Sequence, residues 1–252
     1  MKTSTISLLI KRQFRENHKV YGIGLLVLFI LLLFMFVIVH QWQDSFSGAV
    51  QNGVFIIGLF IGGAVFTNSM FQEFSSPQSA MWLLSIPAKH SEKAISTILI
   101  STIFFLIIYI ITFYVADVLY LLFTSSLNFE TILNPFKNNF HQFFFIYFLF
   151  NGLILLGSVI FNKHSLIKTL LATAILFIGL NYCNNLILGF LISDETIVSS
   201  IPFDSFLFSN KGENVKVFLF EKADLFNSIF IRGIIPIAIW LLVWLKLKEK
   251  EI

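Results

Sequence analysis

Val20 to Val39 reads VYGIGLLVLFILLLFMFVIV, twenty residues with no charge and no proline. A helix of that length spans about 30 Å, the thickness of a bilayer's hydrocarbon layer. The run does not alternate apolar with polar positions, as a strand of a membrane barrel would. The rest of the chain has the same character. With 57% hydrophobic residues, 12% charged residues and 32 phenylalanines in 252 residues, and a mean hydropathy of +0.85, there is more apolar surface than one water-soluble core could bury. The sequence predicts an all-α integral membrane protein.

Five more runs are long and continuous enough to cross: Val50 to Phe66, Ile95 to Phe123, Phe143 to Phe161, Thr169 to Ile192 and Ile229 to Leu245. The spans therefore number six, in one transmembrane domain over 20–252. The second run is the least apolar, with Gln51 and Asn52 at one end and Gly53, Gly58, Gly62 and Gly63 along it, so it is expected among other helices rather than against lipid. Gly58 and Gly62 form a small-xxx-small pair, which lets a neighbouring backbone approach closely.

Residues 1–19 do not read as the start of a cleavable signal peptide, since Val20 to Val39 is long enough to span and no small-residue cleavage site follows it. At 100° per residue, Ile6, Leu9, Ile10 and Phe14 share one face and Lys11, Arg12 and Arg15 another. This predicts an amphipathic elbow helix lying in the membrane interface, against the plainer reading of a solvated basic tail. Six spans put both termini on one side. That side, with the second and fourth loops, holds Lys2, Lys11, Arg12, Arg15, Lys19, Lys89, Lys93, Lys163, Lys168, Lys246, Lys248 and Lys250, twelve of the seventeen basic residues. By the positive-inside rule both termini are expected in the cytoplasm.

Two connections stand out. Between the second and third spans, Met81 to Thr97 reads MWLLSIPAKHSEKAIST. Ser76 and Pro77 suit the start of a short helix through Met81, Trp82 and Leu83, Pro87 ends it, and Ser91 and Glu92 suit the start of the next. The residues leave two readings open, a rigid knob at the membrane surface or a loop that tucks Trp82 into the interface. Between the fifth and sixth spans, SFLFSNKGENVKVFLF places two strand-like runs around a glycine-containing turn, a hairpin signal.

The order of parts resembles the permease subunits of type 2 ABC transporters: a basic elbow, six spans, and LLSIPAKHSEK leading straight into the third. In that family the corresponding segment is the coupling helix, seated in a groove of a separate ATPase. The resemblance implies that Leu83, Leu84, Ile86 and Pro87 make the apolar contact and that Lys89, Glu92 and Lys93 lie at its rim. The loop from Asn162 to Lys168 would add a minor contact. It also implies a second permease copy or a related permease as partner, ATP and Mg used by the ATPase rather than by this chain, and export from a bacterial cytoplasm or inner leaflet. The hairpin signal departs from the family, which carries re-entrant helices there. No G-x-x-x-x-G-K-[ST] loop occurs in the chain, so ATP hydrolysis is expected from another subunit.

Polar residues inside spans are the remaining candidates, because they are costly in lipid. Asp117 in the third span, and Asn181 and Asn185 on one face of the fifth beside Asn184, read either as helix-packing groups or as pathway-lining ones. Arg232 is placed to snorkel to the outer headgroups, and Pro236 after Gly233 to bend the last span. The lone Cys183 permits no internal disulfide. His18, His40, His90, His141 and His164 all fall at or beyond span ends, and no H-E-x-x-H, G-x-S-x-G or cysteine cluster occurs, so an enzyme is not expected. Membrane lipid is an expected partner and nucleic acid is not. The competing classes are a non-transporting scaffold that anchors a cytoplasmic protein, and a secondary carrier using Asp117 for ion coupling.

Overall fold

The computed structural model describes residues 5–42, 48–70, 88–124, 132–133, 142–161, 163–191, 196–201, 205–210, 213–218 and 229–250. Six helical spans are long and apolar enough to cross a membrane, each overlapping one of the predicted runs. The first is α1, Thr5–Trp42, and the second α2, Gly48–Met70. The third is assembled from α3, His90–Ile98, a π-helical turn at Leu99–Phe104 and α4, Phe105–Phe123. The fourth and fifth are α5, Gln142–Ile160, and α6, Ser165–Leu191. A second π turn, Phe230–Ile234, leads into the sixth, α7, Ile235–Lys250.

Among the described residues no break sets an elbow apart: the amphipathic segment from Thr5 onward and the first span form one helix of 38 residues, about 57 Å long. No proline interrupts it, and an amphipathic stretch followed by an apolar one costs a helix nothing at the junction. Ile6, Leu9, Ile10 and Phe14 are all half-buried, since this part of α1 lies along α3. The Phe14 ring stands 5.6 Å from Phe104 and 5.7 Å from Tyr21, both edge-on.

Glycine lets α2 take the neighbours predicted for it. Leu28 and Leu32 of α1, four residues apart, seat against Gly62 and Gly58: a Cβ at Gly58 would stand 2.8 Å from Leu32 Cδ2 and 2.6 Å from Tyr109 Oη, and one at Gly62 2.5 Å from Leu28 Cδ1. Gly63 makes the same room for Tyr147 of α5, 2.6 Å from a Cβ there. The pairing of Leu28 with Gly62 and Leu32 with Gly58 sets α1 and α2 antiparallel, as consecutive spans must be. Around them Leu32, Phe36, Phe55, Tyr109, Phe113 and Tyr147 build the larger core, with Phe55 4.9 Å from Phe113 and 5.2 Å from Tyr109, edge to face. A second cluster joins α3, α5 and α7 through Ala94, Leu155, Val159, Val243 and Leu247. The α5 helix serves both clusters and touches α2, α6 and α7. Outward, α6 is the most exposed: 6% of its most apolar window is buried, against 44% in α2 and α5.

Proline explains the second π turn. Pro236 has no N–H for the Arg232 carbonyl, and just before it the Ile235 N–H bonds Phe230 O, one residue further back than in an α-helix. Arg232 itself is half-buried in this turn.

The spanning part is all helix, and a sheet stands between α6 and the last span. The hairpin read from sequence is β2, Ser205–Asn210, paired antiparallel with β3, Glu213–Phe218, in a register from Ser205↔Phe218 to Asn210↔Glu213. Two residues connect them, the loop length that hairpins favour. A third strand, β1, Thr196–Ile201, pairs with β2 with one irregularity between Ile197 and Ser199, giving the order β1-β2-β3. No helix occurs among the described residues of this connection, where the type 2 family carries re-entrant ones.

Candidate functional site

The carboxamide of Asn151, on α5, organises the polar centre of the bundle. Its Nδ2 lies 2.7 Å from Thr67 Oγ1 on α2, 2.9 Å from the Ser101 carbonyl in the third span and 3.0 Å from Tyr147 Oη one turn earlier on its own helix. Tyr147 Oη in turn donates to the Ser101 carbonyl at 3.1 Å. Thr67, Ser101, Tyr147 and Asn151 are all buried to 1% exposure or less.

The π turn makes this possible. Within it the Phe105 N–H bonds the carbonyls of Ile100 and Thr102, passing over Ser101, whose oxygen receives the Tyr147 hydroxyl and the Asn151 amide. Thr102 Oγ1 bonds the Ile98 carbonyl at the same level. One local widening of a helix is thus held open by side chains from α5, and α2 is tied in through Thr67. A π turn fastened in this way marks where the third span could change its winding, because its bonds and α-helical ones differ by a single residue.

A second buried pair lies further along α2 and α4. Gln51 Nε2 donates to Asp117 Oδ1 at 3.0 Å, with exposures of 1% and 0%. Tyr114 Oη donates to the Leu133 carbonyl at 2.9 Å nearby. Asp117 is therefore held between helices. Asn181 instead lies half-exposed on α6, its Nδ2 donating to its own Phe177 carbonyl at 2.9 Å, with Asn184 half-exposed and Asn185 exposed. The α6 helix packs on α5 and more lightly on α2, whereas α4 packs on α1 and α2. The three candidate pathway residues thus fall into two places, Asp117 in the core and the asparagines on an outward face.

Of the residues expected to make the coupling contact, Leu83, Leu84, Ile86 and Pro87 lie outside the described residues. Their neighbours give the segment's exit. Lys89 is extended and is the N-cap of α3; its backbone N–H donates to Glu92 Oε2 at 3.0 Å, and the Glu92 and Lys93 N–H groups bond the Lys89 carbonyl at 2.9 and 3.1 Å. Half of a capping box therefore fixes the start of the third span, as Ser91 and Glu92 suggested. Lys89 is exposed and Glu92 half-buried, but Lys93 is only 8% exposed, so its side chain belongs to the packed side of α3. In the loop expected to make a minor contact, His164 adopts a left-handed φ of 54°, Ser165 Oγ donates to Asn68 Oδ1 at 2.6 Å, and Lys168 Nζ sits 5.8 Å from the centre of the Phe161 ring.

Sequence reading missed Asn151, Thr67, Ser101 and Tyr147. One signal was available: Asn151 is the one carboxamide inside the fourth predicted run. No cluster of metal-ligating side chains occurs among the described residues. No protein-family model matches the chain, and comparison with characterised proteins and with solved structures found no match either.

Proposed function

We propose that this chain is the membrane-spanning permease subunit of a type 2 ABC exporter, multi-pass in a bacterial inner membrane with both termini cytoplasmic. It would form half of a translocation pathway with a second copy or a related permease. The observation that carries the reading is the fixed start of the third span: directly after LLSIPA the chain turns at Lys89 into a helix fastened by Glu92. A segment docked on an ATPase would then pass its movement to α3 without slack, because α3 packs on both α1 and α7. ATP binding would draw two ATPase subunits together, tilt the third spans and open the pathway between the two permease halves outward. A pathway between halves favours the outward Asn181 and Asn185 face over Asp117. The substrate class, whether drug, lipid, peptide or sugar chain, is left open by these features.

The test replaces Leu84 and Ile86 with Asp. Carboxylates there would be driven into an apolar groove without partners, a cost of several kcal/mol that docking cannot offset. The tagged wild-type chain is expected to bring down a protein with a phosphate-binding loop and, in vesicles, to move substrate only with ATP. The double variant should insert normally, lose that protein and stop transport. Undiminished binding and transport by the variant would remove the coupling assignment. A bound partner without ATP-driven movement of any candidate would instead support a scaffold.

A further inference from the structure

A cavity of about 340 Å³ runs along the outside of the bundle between α1, α2 and α4. Its inner wall is Leu32, Phe105 and Tyr109, and its rims include Val20, Val27, Ile61 and Val65, each more than half exposed. The Tyr109 hydroxyl donates to the Phe55 carbonyl at 2.7 Å, so its polar atom is already satisfied within the bundle. Gly24 forms part of the floor, and a Cβ there would meet nothing within 4 Å. We propose that this groove is a binding site for one acyl chain of a membrane phospholipid.

Length, width and polarity all point to that occupant. From Val20, where the apolar run begins, to Leu32 is twelve residues, about 18 Å of helix, against roughly 15 Å for the hydrocarbon of one leaflet. Spread over that length the volume leaves a channel with room for a single hydrocarbon chain. The polar end lies where a headgroup would. There Ser69 lines the groove and the Gln13 amide donates to the Tyr21 hydroxyl at 3.3 Å, while the far end is leucine and tyrosine ring. An apolar cavity of this kind holds no water, and left empty it would forfeit dispersion contacts along its whole lining.

The glycines supply a matched test. Gly22 and Gly24 are both exposed and a Cβ at either would meet nothing within 4 Å, but two residues apart on a helix they point about 200° away from each other, and only Gly24 lines the groove. Gly24→Phe should plug the site and Gly22→Phe should not. The full chain is reconstituted in vesicles of phosphatidylcholine carrying a photoactivatable group in its acyl chain, and adducts are mapped by mass spectrometry.

In the wild type and in Gly22→Phe, adducts should favour Val27, Ile61 and Val65 over the more exposed Ile175 and Phe177 of α6, by about tenfold. In Gly24→Phe the groove adducts should fall to the α6 level while those on α6 stay unchanged. Equal labelling of groove and α6 in the wild type, or groove labelling that survives the plug, overturns the proposal. If Gly24→Phe fails to insert, Val65→Trp at the rim is read by the same criterion. The inference rests on membrane embedding and not on the ATPase partner, and insertion of each variant, scored separately by flotation with vesicles, keeps failure of the two readings apart.

Discussion

Asp117 and Gln51 are 66 residues apart in sequence and 3.0 Å apart in the fold, and the distance between those statements measures what single residues disclose. Each was visible as a polar residue in a greasy run; that they answer each other was not, because pairing depends on how α2 and α4 lie together. With both side chains buried, removing one leaves the other without that partner, whereas removing both restores an apolar contact. Gln51→Met is expected to lower stability by about 2–3 kcal/mol and Asp117→Leu by about 1–2 kcal/mol. The double variant should lose at least 1 kcal/mol less than the sum. SDS-induced unfolding of the four proteins closes the cycle, and additive losses would show that the pair is not coupled. Asn151 escaped notice for a related reason. One of its partners is a backbone carbonyl, and no side-chain pattern announces that a π turn will bring that oxygen within reach.

Elements were easier to read than contacts. A span is declared by a continuous apolar run, so five of the six could be placed to about five residues, the first helix starting fifteen residues before its run, and the β2–β3 hairpin followed from two strand-like runs about a glycine. The elements less plainly read are those whose cause is not local. The elbow was predicted from an amphipathic pattern that equally serves a helix extended beyond the membrane and packed on α3; β1 forms because β2 offers it an edge, not because its own sequence is strongly alternating.

The turn between α5 and α6 shows how closely two elements can be joined. A Cβ added at Gly157 would overlap Thr169 Oγ1 and stand 2.6 Å from Thr169 Cβ, an atom that no rotamer change moves. Gly157→Ala is therefore expected to push the two helices apart and cost about 2 kcal/mol, with Thr169→Gly in the same chain restoring much of it. Gly179→Ala, on the open face of α6 where a Cβ meets nothing within 4 Å, should be neutral or slightly stabilising. Thermal melts of the detergent-solubilised variants make the comparison, and equal losses at the two glycines would deny the tight approach.

For the whole molecule the question is which side each end of the bundle faces. Lys89 precedes the third span and Asn214 lies in β3, after the fifth, so three crossings separate them and they must stand on opposite sides of a membrane whatever the orientation. The proposed direction rests on charge: twelve basic residues fall in the terminal segments and the second and fourth connections, and five, namely Lys137, Lys211, Lys216, Lys222 and Arg232, in or beside the third and fifth. In the orientation proposed above, that asymmetry would put the sheet outside and the polar end of the α1 groove in the cytoplasmic leaflet. Cys183 is the one cysteine in the chain, so a Cys183→Ser background allows a single reporter thiol at either site. In intact cells a membrane-impermeant maleimide is expected to label Asn214→Cys and not Lys89→Cys, and in inverted vesicles the pattern should exchange. An exchanged pattern in the intact cells would reverse the orientation and move the groove to the outer leaflet. Labelling of both positions from one face would be worse for the fold itself, because an even number of crossings between them cannot be drawn with α3, α4, α5 and α6 as they stand.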